Sequence, residues 1–369
     1  MKAKKKGLGF IDKLFLWINF LLCAALLLSY LAPITDPAKY WALAFFGLGY
    51  PILLLANVIM IIYWLLRRSI WILLPVICIA IGWGPLQKTI GFRSGSDIYP
   101  LPPDNIRVMT YNVHEFKRYG SKNDISTKRD ILQIVADEHP DVIGFQEFYS
   151  RKHGQYDMVD SVQKIMGSAN YYFQVVEANK DEAIGMAMFS KYPILSHGMI
   201  QLNDLANENQ CLYIDVQKGA ETFRVYSVHL QSIRFDPKDY RYLKNVSQQG
   251  NDNMGSAERL GSKLKIAFIK RSIQVLRIKE DAAKCPYPYI ISGDFNDTPT
   301  SYAVNKMSEG LKNAFCEKGS GFGRTYNGDF PNYQIDYIMA SPAFNVLSYQ
   351  IIEKKLSDHY PVRSDLVLK

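Results

Sequence analysis

The sequence predicts an α+β domain over residues 106–369, preceded by an all-α transmembrane region of about three helices. Three observations lead there. Charge-free apolar runs are confined to the first 91 residues. From residue 106 onward, short β-rich runs alternate with a few segments of helical spacing. Several of those β-rich runs end in a cluster of acids, amides or histidine. Of the 369 residues, 48% are hydrophobic, which excludes a disordered chain, and five cysteines are too few for a disulfide scaffold.

Residues 1–91 read as a membrane anchor. The apolar runs are about 14–31, 41–66 and 70–86. About 20 apolar residues cross a bilayer, so the first two are long enough, and the third is shorter and holds Pro75, Gly82 and Gly84. All five tryptophans (Trp17, Trp41, Trp64, Trp71, Trp83) fall in or beside these runs, most of them near the ends, as interfacial anchors do. The first run is too long for a signal-peptide core and is followed by no clear small-residue cleavage site. No run has a charged face, which argues against buried soluble helices. Lys2, Lys4, Lys5 and Lys6 mark the N-terminus as cytoplasmic, and Arg67–Arg68 marks a second cytoplasmic end. A third crossing then puts the domain on the extracytoplasmic side of a plasma or inner membrane; a third run that only re-enters leaves it cytoplasmic.

The formal net charge of +8 belongs to this anchor. Nine Lys or Arg stand against Asp12 and Asp36 in residues 1–91, whereas the remainder holds 34 basic and 33 acidic side chains. The domain therefore has no strong non-specific attraction for nucleic acid. Residues 92–105, with Pro100, Pro102 and Pro103, read as an extended linker.

In the domain, Ile106–Tyr111 is a first strand and Lys128–Glu138 a helix stopped by His139–Pro140. Val142–Phe145 is a buried strand. Tyr171–Val176 and Ile184–Phe189 follow, and Lys191–Tyr192–Pro193 turns the chain. Leu212–Val216 and Phe223–His229 pair as a hairpin around Lys218–Gly219. Phe235–Arg259 reads as a long polar loop, then Lys263–Ala282 as an amphipathic helix. Tyr289–Ser292, Ile335–Met339 and Val362–Leu368 complete the strands. Two sheets packed face to face with helices outside would hold these elements in one unit. Cys211, Cys285 and Cys316 have no metal-like spacing.

The polar clusters carry the chemistry. Asn112 follows Val108–Tyr111, and Gln146–Glu147 follows Val142–Phe145. His229 and Gln231 follow Val225–Val228, and Asp294 and Asn296 follow Tyr289–Gly293. Asp336 opens a strand, and Asp358–His359 precedes the last one. One acid at a strand end is an ordinary turn residue; six clusters suggest strand ends converging on a ligand. Glu147, Asp294 and Asp358 are hard oxygen donors for Mg²⁺ or Mn²⁺, and His229 and His359 titrate near neutrality. Asn112 and Asn296 donate hydrogen bonds without adding negative charge. Carboxylates, histidines and amides together suit metal-assisted attack of water on a phosphate ester. No His-Glu-x-x-His helix of a zinc peptidase is present.

Taken in order, Met109-Thr110-Tyr111-Asn112, Gln146-Glu147, Ser190-Lys191-Tyr192-Pro193-Ile194, Val228-His229-Leu230, Gly293-Asp294-Phe295-Asn296, Ile335-Asp336-Tyr337-Ile338 and Ser357-Asp358-His359-Tyr360-Pro361 resemble the endonuclease/exonuclease/phosphatase superfamily. The resemblance covers about residues 106–369 and leaves residues 1–91 aside. It implies a four-layer αββα sandwich, the DNase-I-like fold, with the site at one edge. It also implies a metal set of Glu147, Asp358 and Asn112, and phosphate-binding groups Asn112, Asn296 and Gln231. The implied catalytic set is His229, Asp294, Asn296, Asp336 and His359. Asp336 would orient His359, and the general base is left open between Asp294 and His359. Gln334 stands where many members carry Arg before the Ile-Asp-Tyr strand, with Arg324 upstream as a candidate replacement. His139, His153 and His197 read as surface or turn residues, and Arg271 and Gln274 as structural. His114 could line the cleft.

The implied activity is Mg²⁺-dependent hydrolysis of phosphate esters, with Mn²⁺ as the other suited ion, by an integral membrane protein. A phosphodiesterase acting on a lipid head group or on nucleic acid comes first, then a phosphomonoesterase on inositol phosphates or similar esters. A catalytically silent membrane receptor on this fold is the remaining reading, disfavoured because no catalytic position is substituted. No protein partner is indicated.

Overall fold

The computed structural model describes residues 9–93, 100–117, 125–203, 209–233, 235–236, 238–239, 241–242, 254–328 and 332–369. Lys2, Lys4, Lys5 and Lys6 lie outside the described residues, as do parts of the linker and of the polar loop around Ser247–Asn253.

Five helices form the N-terminal region: α1 (Phe10–Ser29), α2 (Pro37–Leu48), α3 (Tyr50–Leu66), α4 (Leu73–Ile81) and α5 (Trp83–Thr89). The stretch Phe10–Ile34, with a mean hydropathy of 2.2, is long and apolar enough to cross a membrane. The second apolar run does not form one straight helix. Gly49 and Pro51 break it, and α2 meets α3 at 48°. The third run breaks likewise at Gly82, where α4 meets α5 at 68°.

α1 and α3 run antiparallel. Asp12, near the start of α1, forms an ion pair with Arg67, just past the end of α3, at 2.6 Å. At the other end, the Tyr30 hydroxyl donates to the carbonyl of Cys78 at 3.0 Å. Inside the bundle Asn57 is fully buried, and its amide donates to the Leu53 carbonyl at 2.9 Å. An apolar interior tolerates an amide only when it is bonded in this way.

The domain that follows contains two mixed sheets. One has the order β13 (Phe344–Val346), β15 (Val362–Leu368), β2 (Ile106–Asn112), β3 (Val142–Arg151), β5 (Glu182–Ser190), β4 (Tyr171–Ala178), with β14 (Gln350–Ile351) also on β15. The other has the order β10 (Lys312–Asn313), β12 (Asp336–Ala340), β9 (Tyr289–Asp294), β8 (Glu221–His229), β7 (Cys211–Lys218), β6 (Ile194–Ile200). A remaining pair joins β1 (Gly91–Phe92), just after the N-terminal helices, to β11 (Ser320–Gly321). Each large sheet has one parallel pair at its centre, β2 with β3 and β8 with β9.

Three buried clusters define the layers. Val108, Val142, Leu212, Val225, Ile290 and Ile338 fill the space between the sheets. Outside the first sheet, α6 (Ile125–Glu138) and α7 (Met158–Met166) bury Ile131, Ile134 and Val162 against Ile143 and Phe145. Outside the second, α8 (Met254–Ala283) and α9 (Tyr302–Ser308) bury Val275, Ile278 and Met307 against Tyr226 and Ile291. The layers thus run helices, sheet, sheet, helices.

Most strands fall where the alternation puts them. α8 is longer than its apolar spacing suggests: it starts at Met254, inside the stretch expected as loop. Further along, Leu260, Leu264 and Phe268 pack against Ala44, Phe45 and Leu48 of α2. Before Leu260 the helix is mostly exposed, so it runs past the face that packs on α2.

Candidate active site

The central parallel pairs set the site. Asn112 ends β2, His229 ends β8 and Asp294 ends β9, with His229 in register with Asp294. Asp336 opens the neighbouring antiparallel strand, also opposite Asp294. Glu147 reaches the same edge through a bulge. The β3–β5 register shifts between Phe145 and Phe148, and Glu147 adopts a φ of 53°. That extra residue turns the carboxylate out of the strand alternation. Gly293 has a φ of 144°, and a Cβ there would lie 2.1 Å from the Val228 carbonyl oxygen. Only glycine allows β8 and β9 to approach this closely beside Asp294.

Oδ2 of Asp294 is the hub. It accepts from the amides of Asn112 at 3.1 Å and Asn296 at 3.2 Å. It also lies 3.7 Å from Nε2 of both His229 and His359. The Asn112 amide reaches Oε1 of Glu147 at 3.2 Å, and Nε2 of His229 lies 3.9 Å from the same oxygen. Burial pushes the Asp294 carboxyl above its ordinary range, with Asp336 adding to the rise against the charges of His359 and His229.

His359 is held from its other side. Its Nδ1 lies 3.0 Å from Oδ2 of Asp336, and its backbone N–H donates to Ser357 Oγ at 3.2 Å. Thr325 Oγ1 accepts from the N–H of Asp336 at 3.0 Å, and the Tyr326 ring stands edge-on to the imidazole. Burial alone would lower the His359 pKa, but Asp336 and Asp294 raise it well above the ordinary value. By contrast, Nδ1 of His229 is buried with no hydrogen-bond partner among the described residues.

His114 joins the cluster, in line with the cleft-lining reading. Its Nδ1 lies 3.4 Å from Oε2 of Glu147 and 3.8 Å from Oδ1 of Asp358. The hydrogen bond to Glu147 raises its pKa. Burial pushes Glu147 up, yet the His114 bond and the charges of His229, His114 and His359 outweigh it and hold Glu147 at about 2. The chain reaches this position through three successive positive-φ residues, His114, Glu115 and Phe116. Adjacency to Asn112 is the signal visible in sequence; the left-handed turn that aims the ring is not.

This donor set fits a hard divalent cation, since Glu147, Asp294, Asp336 and Asp358 converge and histidines are their cationic partners among the described residues. Ligand atoms of Asp294, Asp336 and His359 lie within 4.8 Å of one another. However, His359 Nδ1 already bonds to Asp336, so this trio reads better as a hydrogen-bonded relay than as a cation site. Glu147 and Asp358 both reach solvent and both face His114, so a cation entering the cleft meets them first.

Of the residues singled out from sequence, Asn112, Glu147, His229, Asp294, Asn296, Asp336, Asp358 and His359 gather at this edge. Gln231 does not line the cavity here. Its amide donates to Ser232 O, and its backbone is held by Gln274 and Arg271. Gln334 is buried, with its amide on the Tyr349 hydroxyl at 3.4 Å, and Arg324 lies over the Tyr360 ring. His139, His153 and His197 are exposed.

A family model described as the endonuclease/exonuclease/phosphatase family matches residues 109–359, and a second, described only as a domain of unknown function, matches residues 12–89. No curated protein sequence matches the chain. Among solved structures, an endonuclease/exonuclease/phosphatase from Bacteroides vulgatus is similar at a TM-score of 0.51 and 18% identity, over 72% of this chain and 99% of that one. One from Beutenbergia cavernae is similar at 0.50 and 19%, over 72% of each chain. A family protein from Bacteroides thetaiotaomicron is similar at 0.50 and 16%, over 73% and 100%. At these identities the likenesses speak for the fold alone.

Proposed function

The chain belongs to the endonuclease/exonuclease/phosphatase family, and from that premise we propose that it is a membrane-anchored, divalent-metal-dependent hydrolase of phosphate esters, acting on diesters. Residues 1–91 form the anchor, 92–105 the linker and 106–369 the catalytic domain in this reading. The observation that carries it is the convergence of two amides and two imidazoles on Oδ2 of Asp294.

Asp294 is the proton acceptor for the attacking water. Its buried carboxyl, raised above the ordinary range, is a better base than a solvated one. His359, kept charged by Asp336, holds an oxygen of the transferring phosphoryl group as negative charge grows there. His229, whose Nε2 faces the same oxygen of Asp294, donates to the leaving group. The amides of Asn112 and Asn296 orient the phosphate. Glu147, Asp358 and Asn112 would hold Mg²⁺ or Mn²⁺, which supplies the positive charge that lets a phosphate sit among carboxylates. A diester carries less negative charge than a monoester, and so suits a site this rich in acids.

The anchor reading is supported by the length and hydropathy of Phe10–Ile34 and by the two bent pairs, each of which can serve as one span. Three crossings put the domain outside.

The test is turnover of bis-p-nitrophenyl phosphate by the full chain in detergent with Mg²⁺ or Mn²⁺. The wild type hydrolyses it, and Glu147→Ala and Asp294→Ala do not. Equal rates in all three proteins would defeat the proposal.

A further inference from the structure

We infer that the ester hydrolysed here is a lipid phosphate: an amphiphile whose phosphoryl group lies on the Asp294 cluster and whose hydrocarbon chain leaves along a wall contributed partly by the anchor. The inference rests on the hydrolase reading above and names its substrate class.

The cleft is a cavity of about 240 Å³ with two unlike ends. Glu147, Asp294, Asp358 and His359 line one. Leu48, Ile233, Phe235, Leu264 and Phe268 line the other. Leu48 is the last residue of α2, so the catalytic cavity is closed in part by the N-terminal region rather than by the domain alone.

That contribution is fixed by packing. Thr300 Oγ1, six residues from Asp294 in the chain, donates to the Gly47 carbonyl at 2.8 Å. A Cβ at Gly47 would lie 2.6 Å from the Ala32 side chain and 2.9 Å from the Thr300 carbonyl oxygen, so the approach requires glycine. The Phe45 and Phe268 rings meet edge-to-face at 5.3 Å, and the Lys265 ammonium sits over Trp41. Directly after Leu48 the chain bends into α3, where Ile52, Leu55 and Ile59 are exposed apolar residues of the apolar run. The apolar wall of the cavity is therefore continuous along the chain with the surface that faces lipid in the anchor reading.

The charge pattern points the same way. A nucleic-acid track needs a row of cations for successive phosphates. Among the described residues lining this cavity, Arg271 is the one Lys or Arg. It is 1% exposed, with Nε donating to the Gln231 carbonyl at 2.7 Å and Nη1 lying 3.4 Å from Asp297 Oδ2. Its Nη2 has no hydrogen-bond partner among the described residues. A buried, unsatisfied guanidinium N–H on the wall fits a single polar head-group oxygen beside the phosphoryl group. One cation among the described lining residues and an apolar wall suit an amphiphile better than a polyanion.

The experiment compares p-nitrophenyl methyl, butyl and octyl phosphates, each below its micellar concentration, and supercoiled plasmid, with the full chain in detergent and Mg²⁺ or Mn²⁺. For the wild type, kcat/KM rises about tenfold or more from methyl to octyl, the order expected when several methylenes are buried. In Leu48→Gln the rise shrinks to about twofold, since the polar amide replaces the wall the chain packs on. A flat series in the wild type, a series as steep in Leu48→Gln as in the wild type, or plasmid cleaved in preference to the octyl ester would each overturn the inference while leaving the hydrolase reading intact. Failure to hydrolyse any ester would sink both. The wild-type series decides alone if the variant does not fold.

Discussion

Nδ1 of His359 lies 3.0 Å from Oδ2 of Asp336, and both side chains are buried. Water cannot screen such a pair, so the carboxylate holds a proton on the ring against the cost of burial. Asp336→Asn removes that charge and keeps the shape. The expected result is a fall of the His359 pKa and a shift of the alkaline limb of the pH–rate profile toward lower pH. Stability follows the same linkage. A histidine whose folded pKa is raised stabilises the fold fully below its unfolded value near 6.5, and loses that contribution as pH climbs through the folded value. Melting curves of chelated wild type and variant should therefore differ most at acidic pH and converge as pH rises. Curves separated equally at every pH would contradict the pairing.

Glu147 titrates in the opposite sense. Its folded pKa of about 2 lies below the ordinary 4.5, so its contribution is present above 4.5 and is lost as pH falls from there toward 2. Glu147→Gln should flatten that acid limb in metal-free protein. The same carboxylate is the first proposed cation ligand. Chelation should abolish turnover and added Mg²⁺ or Mn²⁺ restore it, with Glu147→Ala lowering kcat/KM by about 10²–10⁴-fold. Full turnover in excess chelator would count against the metal.

Gly293→Ala tests how the strand end is built. A side chain at a φ of 144° with its Cβ 2.1 Å from the Val228 carbonyl oxygen must push β9 away from β8. The expected loss is about 3 kcal/mol or more in unfolding experiments, and turnover falls with it because Asp294 is the next residue. A variant as stable and active as wild type would mean that the two strands do not need this spacing.

Much of this is legible in the sequence. The strand runs ending in Asn112, His229 and Asp294 can be read because apolar alternation stops where the chemistry begins. Their convergence follows from parallel pairing, which brings like ends of β2 with β3 and of β8 with β9 to one edge. What was hidden is what depends on three-dimensional neighbours. The bulge that aims Glu147 shows in no spacing pattern. The left-handed turn at His114 uses residue types with no strong preference for it. Met254–Arg259 reads as loop because it is polar and mostly exposed, so no apolar spacing marks it as helix. Gln231 follows His229 by two residues, as a cleft residue would, yet its backbone is tied to Gln274 and Arg271 on the helix.

The sidedness of the domain can be tested with thiols already present. Cys23 and Cys78 are buried among the N-terminal helices, and Cys211 is buried in the sheet. Cys285 and Cys316, both in the domain, are half-buried and within reach of a reagent. The Asp12–Arg67 pair marks one end of the N-terminal helices, and Thr300 with Gly47 and Lys88 with Asn305 join their opposite end to the domain. If the three apolar stretches each cross once, the two ends face opposite compartments and the domain lies outside. A membrane-impermeant maleimide added to intact cells should then label the protein, and Cys285→Ser should reduce the signal. Labelling that appears only after the cells are permeabilised would place the domain in the cytoplasm. The α4–α5 pair, bent by 68°, would then be a re-entrant hairpin rather than a crossing.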